Sequence, residues 1–158
     1  MKLIIVGPGA SGKDHLKRRL QEKGYKTSVS YTSRKSRANE NDGIDYHFIT
    51  ETQFLTDIAL NKFLEWNKFG NGAYYGTGRD EFDSAELFIM TPSGVRALTA
   101  EQRRESVIIY LDIPYAIRRE RLLARADVND DPERRLHTDA IDFDGFSDYD
   151  IKITNHDF

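Results

Sequence analysis

With 158 residues, 39% of them hydrophobic, the chain has enough apolar surface for one core and too little for two ordinary domains, although lobes can be inserted into it. A formal net charge of -3 excludes a global pull toward nucleic acid or anionic membrane, so any phosphate binding must come from a local grouping of the 23 Lys and Arg residues. The absence of cysteine excludes a disulfide framework or a thiolate metal site, and the apolar run at residues 1–6 is far shorter than a signal peptide or membrane span; the expectation is a cytoplasmic protein without nucleic-acid or membrane partners.

In chain order, residues 3–6 are apolar at consecutive positions, which predicts a central strand of a parallel sheet buried on both faces. A glycine-rich stretch follows, and then the leucine spacing of residues 13–20 predicts an amphipathic helix ending near Gly24. Between residues 26 and 50 the pattern breaks into short strands with a turn at Asn41-Asp42-Gly43, and a helix is expected over residues 51–61 before Phe63-Leu64-Glu65-Trp66. Strands return at residues 86–90 and 107–111 with helical spacing between them, so the core is discontinuous in sequence. Residues 114–126 form an arginine-rich helical stretch, residues 128–132 a polar break before Glu133-Arg134-Arg135-Leu136, and Ile151-Lys152-Ile153 a last strand. The fold class is α/β, a parallel sheet flanked by helices with a mixed β lobe inserted.

Gly7-Pro8-Gly9-Ala10-Ser11-Gly12-Lys13 matches G-x-x-x-x-G-K directly after a predicted strand and before a predicted helix, the context a phosphate-binding loop requires. Glycines let successive N–H groups converge on a phosphate, the helix N-terminus adds its dipole, and Lys13 reaches the transferred phosphoryl group. Gly7, Gly9, Ala10, Ser11, Gly12, Lys13, Asp14 and His15 are therefore candidate ATP-binding residues. The loop motif normally continues with a Ser or Thr that holds Mg²⁺, and here Asp14 stands in that place. Asp14 is a candidate Mg²⁺ ligand, with a helix-capping role as the alternative.

The segment Ser30-Tyr31-Thr32-Ser33-Arg34-Lys35-Ser36-Arg37, then Asp45-Tyr46, Glu65-Trp66 and Tyr74-Tyr75-Gly76-Thr77, in this order after the phosphate loop, resembles the guanylate kinase family. Arg34 and Arg37 can fork onto a phosphate dianion, with Tyr46 and Tyr75 supplying phenolic donors. The resemblance implies that Glu65 reads the guanine N1–H and amine, that Ser30 and Thr77 contact the base, and that Arg121, Arg125 and Arg135 are lid arginines acting with Lys13 and Arg34 on the transferred group. Asn155 is implied to border the adenine pocket. Taken one at a time the same residues fit a solvated basic turn, β-forming tyrosines and a surface carboxylate.

The resemblance implies a core of residues 1–27, 79–113 and 137–158, an acceptor lobe at 28–78 and a lid at 114–136. The implied reaction is Mg²⁺-dependent phosphoryl transfer from ATP to GMP or dGMP by a monomer or homodimer. Two departures qualify it: residues 87–91 lack the aspartates usual in that strand of the family, and the helix expected after Asn155 is missing. A kinase for another or modified deoxynucleotide, a non-catalytic binding module and an inactive kinase stay open as alternatives. The small size and these departures fit a phage or mobile-element enzyme.

Overall fold

The computed structural model describes residues 1–125 and 131–158. A four-stranded parallel sheet forms the centre: β1 (Lys2–Val6), β6 (Leu87–Met90), β7 (Ser106–Leu111) and β8 (Ile151–Ile153), in the order β6-β1-β7-β8. β1 is interior as expected, and Ile4, Ile5 and Val6 are fully buried because helices cover both faces. On one face Ile4 and Val6 pack with Leu64, Phe82, Phe88, Val95 and Ile108. On the other, Ile5, Leu87 and Leu111 meet Leu16 and Leu20 of α1 (Lys13–Glu22) and Ile117 of α6 (Tyr115–Ala124). The leucine spacing read from the sequence is thus the stripe that seats α1, and its C-terminal turn ends at Gly24, whose φ is 96°.

A second, mixed sheet has the order β3-β2-β5-β4, from β2 (Tyr31–Thr32), β3 (His47–Phe48), β4 (Phe63–Lys68) and β5 (Tyr74–Gly78). The turn near residue 42 lies slightly later than expected, over residues 43–45, because Asp42 and Tyr46 bridge across it and Gly43 supplies φ 75°. Helix α2 (Glu51–Ala59) starts at Thr50, whose hydroxyl accepts the Gln53 N–H, and stops before Asn61, where φ turns to 54°. Its Phe54 stacks on Phe63 at 4.4 Å between centroids and fastens the helix to β4.

Helix α3 (Arg79–Ser84) has no counterpart in the sequence reading; six residues with one buried side chain, Phe82, carry too little periodicity to be seen. The helical spacing after β6 resolves into two short helices, α4 (Pro92–Arg96) and α5 (Ala100–Arg104), each started by a threonine cap. Of the polar break expected over 128–132, residues 128–130 lie outside the described residues, while Asp131 caps α7 (Pro132–Asp142) by accepting the Arg134 N–H. That helix runs without interruption past residue 136, through the boundary expected between lid and core.

Candidate active site

A cleft of about 780 Å³ lies between the two sheets, and the phosphate loop, Glu65, Ser30, Arg34, Arg37, Tyr46 and Tyr75 all line it. Side chains brought from three separate sequence blocks therefore face one space. The cleft is closed on its far side by α7, through Arg134, Arg135, Thr138 and Asp139.

The loop between β1 and α1 turns through Ala10 at φ 59° and Gly12 at φ 97°, left-handed values that glycine accommodates best. Gly7 has no room for a side chain, since a Cβ there would stand 2.5 Å from the Ser11 Oγ; that hydroxyl is fully buried and has no hydrogen-bond partner among the described residues. Lys13 is folded back, donating to the Gly7 and Pro8 carbonyls at 2.6 and 2.9 Å. Burial pushes its ammonium down to about 8; Asp14 opposes this and Arg135 adds to it, with Asp139 opposing and Arg125 adding less. Asp14 sits in the first turn of α1 and lines the cleft.

The arginines at the mouth take different stations. Arg121 donates to the Ala10 carbonyl at 3.2 Å and the His156 carbonyl at 3.0 Å. Arg125 lines both the main cleft and a neighbouring hollow of about 360 Å³ shared with His15, Arg121, His156 and Phe158. Arg135 lies against Gly9, where an added Cβ would be 2.7 Å from its Nε, whereas Arg134 turns to the Gly70 carbonyl at 2.8 Å and ties α7 to the β4–β5 turn. Asn155, expected at the adenine pocket, instead accepts the Asp157 N–H and lines neither cavity.

In the acceptor lobe Arg34 is held from three sides. Its Nε donates to the Tyr75 hydroxyl at 3.1 Å, its two terminal nitrogens fork onto Glu40 at 2.8 Å each, and its plane lies 5.5 Å from the Tyr46 ring centre. The bond from Glu40 holds the Arg34 guanidinium firmly charged, and Arg34 in turn holds the Glu40 carboxyl below its usual range. Glu40 also accepts the Arg37 N–H at 2.8 Å and lies 3.9 Å from its guanidinium. Burial pushes Tyr46 up to about 12, so it remains a phenol donor across the physiological range.

Glu65 is aimed by a bulge. The β4–β5 register shifts between Phe63 and Glu65, so Phe63 packs on Phe54 while Leu64 reaches the main core and Glu65 reaches the cleft. It lies opposite Thr77, whose Oγ1 donates to its Oε1 at 2.8 Å, and it rests on Gly94, where a Cβ would come 3.0 Å from its Cγ. Burial pushes its carboxyl above the usual range, with the Thr77 bonds opposing. Thr77, expected to touch the base directly, is 1% exposed and does not line the cleft. Its hydroxyl orients Glu65 instead.

Two groups at the site escaped the sequence reading. Glu40 could have been noticed as a carboxylate three residues beyond Arg37 in a basic turn. Asp139 carries no such signal: 130 positions from Gly9, its Oδ2 accepts the Gly9 N–H at 2.8 Å and faces Arg118 at 3.6 Å. Among the described residues no group of three or more His, Asp or Glu is placed to hold a metal ion. Asp14 lines the cleft beside the loop and fits a metal ion only as one donor among others that a ligand and water would supply. Among the described residues no helix is long and apolar enough to cross a membrane.

Comparison with known proteins agrees with this arrangement. Residues 1–158 match the family model described as guanylate kinase. The chain is 31% identical over 165 residues to a guanylate kinase of Rickettsia typhi, covering 99% of this chain and 83% of that protein. It is 33% identical over 164 residues to one of Helicobacter pylori, covering 98% and 79%. Among solved structures, guanylate kinase from Anaplasma phagocytophilum shares the fold with a TM-score of 0.74 at 24% identity, over 99% of this chain and 77% of that one. A phosphate-loop motif that shares one cleft with Arg34, Tyr75 and Glu65, on a chain matched from end to end by the family model, places this protein in the guanylate kinase family.

Proposed function

We infer that the protein transfers the γ-phosphoryl group of ATP to GMP, and to dGMP, giving ADP and the guanosine diphosphate. The observation that carries this reading is the convergence of Lys13, Arg34 and Glu65 on one cleft. An oxygen of the acceptor phosphate forms the new bond to the γ-phosphorus as the bond to the bridging oxygen of ADP breaks. That acceptor oxygen is already nucleophilic near neutral pH, so positioning and charge neutralisation supply the rate.

Arg34 and Arg37, with Tyr46 and Tyr75, hold the acceptor phosphate, while Glu65, oriented by Thr77 and flanked by Ser30, accepts from the guanine N1–H and amine. Adenine presents an acceptor at N1 and no 2-amino group, and the charged Glu65 repels it. Residues 7–12 and Lys13 hold the β- and γ-phosphates, and His15 stands beside the adenosine end. Arg121, Arg125 and Arg135 act on the transferred group from a lid of residues 114–136, which closes over a core of residues 1–27, 79–113 and 137–158 and an acceptor lobe of residues 28–78. Asp14, at the start of α1 and lining the cleft, would be the protein residue that holds a Mg²⁺ ion accompanying ATP, and the ion would supply charge neutralisation to the triphosphate. The enzyme works in the cytoplasm on free nucleotides, as a monomer or homodimer.

The test is ADP release from ATP and Mg²⁺ with GMP, dGMP, AMP, dTMP or dCMP offered singly. Turnover confined to GMP and dGMP is expected; turnover with another base overturns the acceptor, and silence with all five overturns the enzyme. Asp14→Ser is expected to lower the turnover and raise the Mg²⁺ concentration for half-maximal rate, and an increase in Mg²⁺-dependent turnover would remove Asp14 from the metal.

A further inference from the structure

Guanine presents three N–H donors along one edge, N1–H and the two of its exocyclic amine. A carboxylate placed like Glu65 takes N1–H and one amine hydrogen, and the second amine N–H, once buried, needs another acceptor. Asn67 is the neighbouring cleft-lining side chain on the same strand. Beyond the bulge, Glu65 and Asn67 are two residues apart on β4 and so share a face, opposite Thr77 and Tyr75 of β5 respectively, and both line the cleft.

The Asn67 amide is held by the start of α4. Its Nδ2 donates to the Ser93 Oγ at 2.8 Å and reaches the Thr91 Oγ1 at 3.5 Å; the two hydroxyls are 2.8 Å apart, and the Thr91 Oγ1 also accepts the Gly94 N–H at 3.1 Å. With Nδ2 committed to α4, the Oδ1 is the remaining acceptor of the side chain, and no partner for it exists among the described residues. The same α4 carries Gly94, on which Glu65 rests. One short helix therefore sets the position of both side chains.

We propose that Asn67 is a second specificity-determining residue for the acceptor base, its Oδ1 accepting the amine N–H that Glu65 leaves over. Thr91 and Ser93 are positioning residues that hold the amide with its oxygen available. The pair then reads the 2-amino group itself, and separates 2-amino-6-oxopurine monophosphates from the 6-oxopurine monophosphate that lacks the amine. This rests on the guanine assignment made above.

The experiment compares kcat/KM for GMP and for IMP in the wild type, Asn67→Leu, Asn67→Asp and Ser93→Ala, together with the binding of each nucleotide by calorimetry without ATP. The expected result is a GMP-to-IMP ratio that falls about tenfold in Asn67→Leu, through loss on GMP, because the discarded acceptor served only the amine. Asn67→Asp, which keeps an acceptor oxygen, retains most of the ratio, and Ser93→Ala lowers it by a smaller factor. An unchanged ratio in Asn67→Leu, or equal losses on GMP and IMP, overturns the inference while wild-type turnover of GMP leaves the guanine assignment standing. A wild type that turns over no GMP overturns both. Should Asn67→Leu fail to fold, Asn67→Asp and Ser93→Ala decide on the same ratio, and a Ser93→Ala ratio equal to that of the wild type together with full loss in Asn67→Asp also overturns the inference.

Discussion

The two phosphate sites proposed for this protein hold their principal cations in different ways. At the proposed acceptor site the principal cation, Arg34, is forked onto Glu40 and bonded to Tyr75, which keeps it charged and fixed in place. At the donor site Lys13 is buried, turned onto its own loop carbonyls and pushed down to about 8, while Asp139 occupies the Gly9 N–H. Both cations are engaged by internal partners, but Arg34 is paired with a carboxylate, whereas Lys13 donates to neutral carbonyls. The difference follows from surroundings as well as residue chemistry, since the Glu40 carboxylate holds the Arg34 guanidinium charged, whereas heavier desolvation lowers the pKa of the Lys13 ammonium.

The largest expected effect breaks the donor side. Lys13→Met lowers kcat about a thousandfold, with the thermal melt retained, in a coupled assay of ADP release. A comparable loss on removing Arg34 is already implied by its role, so the sharper contrast is in protons. In calorimetry with buffers of different ionisation enthalpy, ATP binding at pH 8.5 takes up protons, because Lys13, largely neutral in the free protein above about 8, recovers its charge beside the triphosphate. At pH 6.5 Lys13 is already protonated and its uptake vanishes, as it does at both pH values in Lys13→Met.

Next in size is Glu65→Gln, which lowers kcat/KM for GMP about a hundredfold by replacing one acceptor with a donor that meets the guanine N–H groups. Because burial raises the Glu65 pKa, its acceptor form is lost on acidification earlier than for an ordinary glutamate; wild-type kcat/KM for GMP therefore declines at a pH above the usual carboxylate range, and Glu65→Gln lacks that limb. Glu40→Gln gives a smaller change, with the KM for GMP rising about tenfold and kcat affected less, since the Arg34 fork loses its charged partner. The smallest is Asp139→Asn, which weakens the internal bond to Gly9 and tightens ATP binding about threefold by titration calorimetry. A weaker ATP affinity in Asp139→Asn would show that the carboxylate supports the loop and does not compete with the ligand.

Much of this molecule is legible along the chain. Consecutive apolar residues mark the buried parallel strand β1, leucine spacing marks α1, and the glycine-rich loop between them marks the proposed donor-phosphate site, because these features depend on neighbours within a turn or two. The residues at 30–37, 46, 65 and 74–77 mark the proposed acceptor lobe through their resemblance to the guanylate kinase family. What the tertiary structure decided involves contacts between distant segments or changes of strand face. The bulge after Phe63 swings Glu65 into the cleft and converts Thr77 into its support; Asn155 turns to the chain's own terminal turn and away from the cavities; and Asp139, 130 positions away, meets Gly9. Periodicity and motif spacing are local, whereas a hydrogen bond across the cleft is set by how two sheets and α7 pack, and that packing alone determined which polar groups face the cleft and which hold them there.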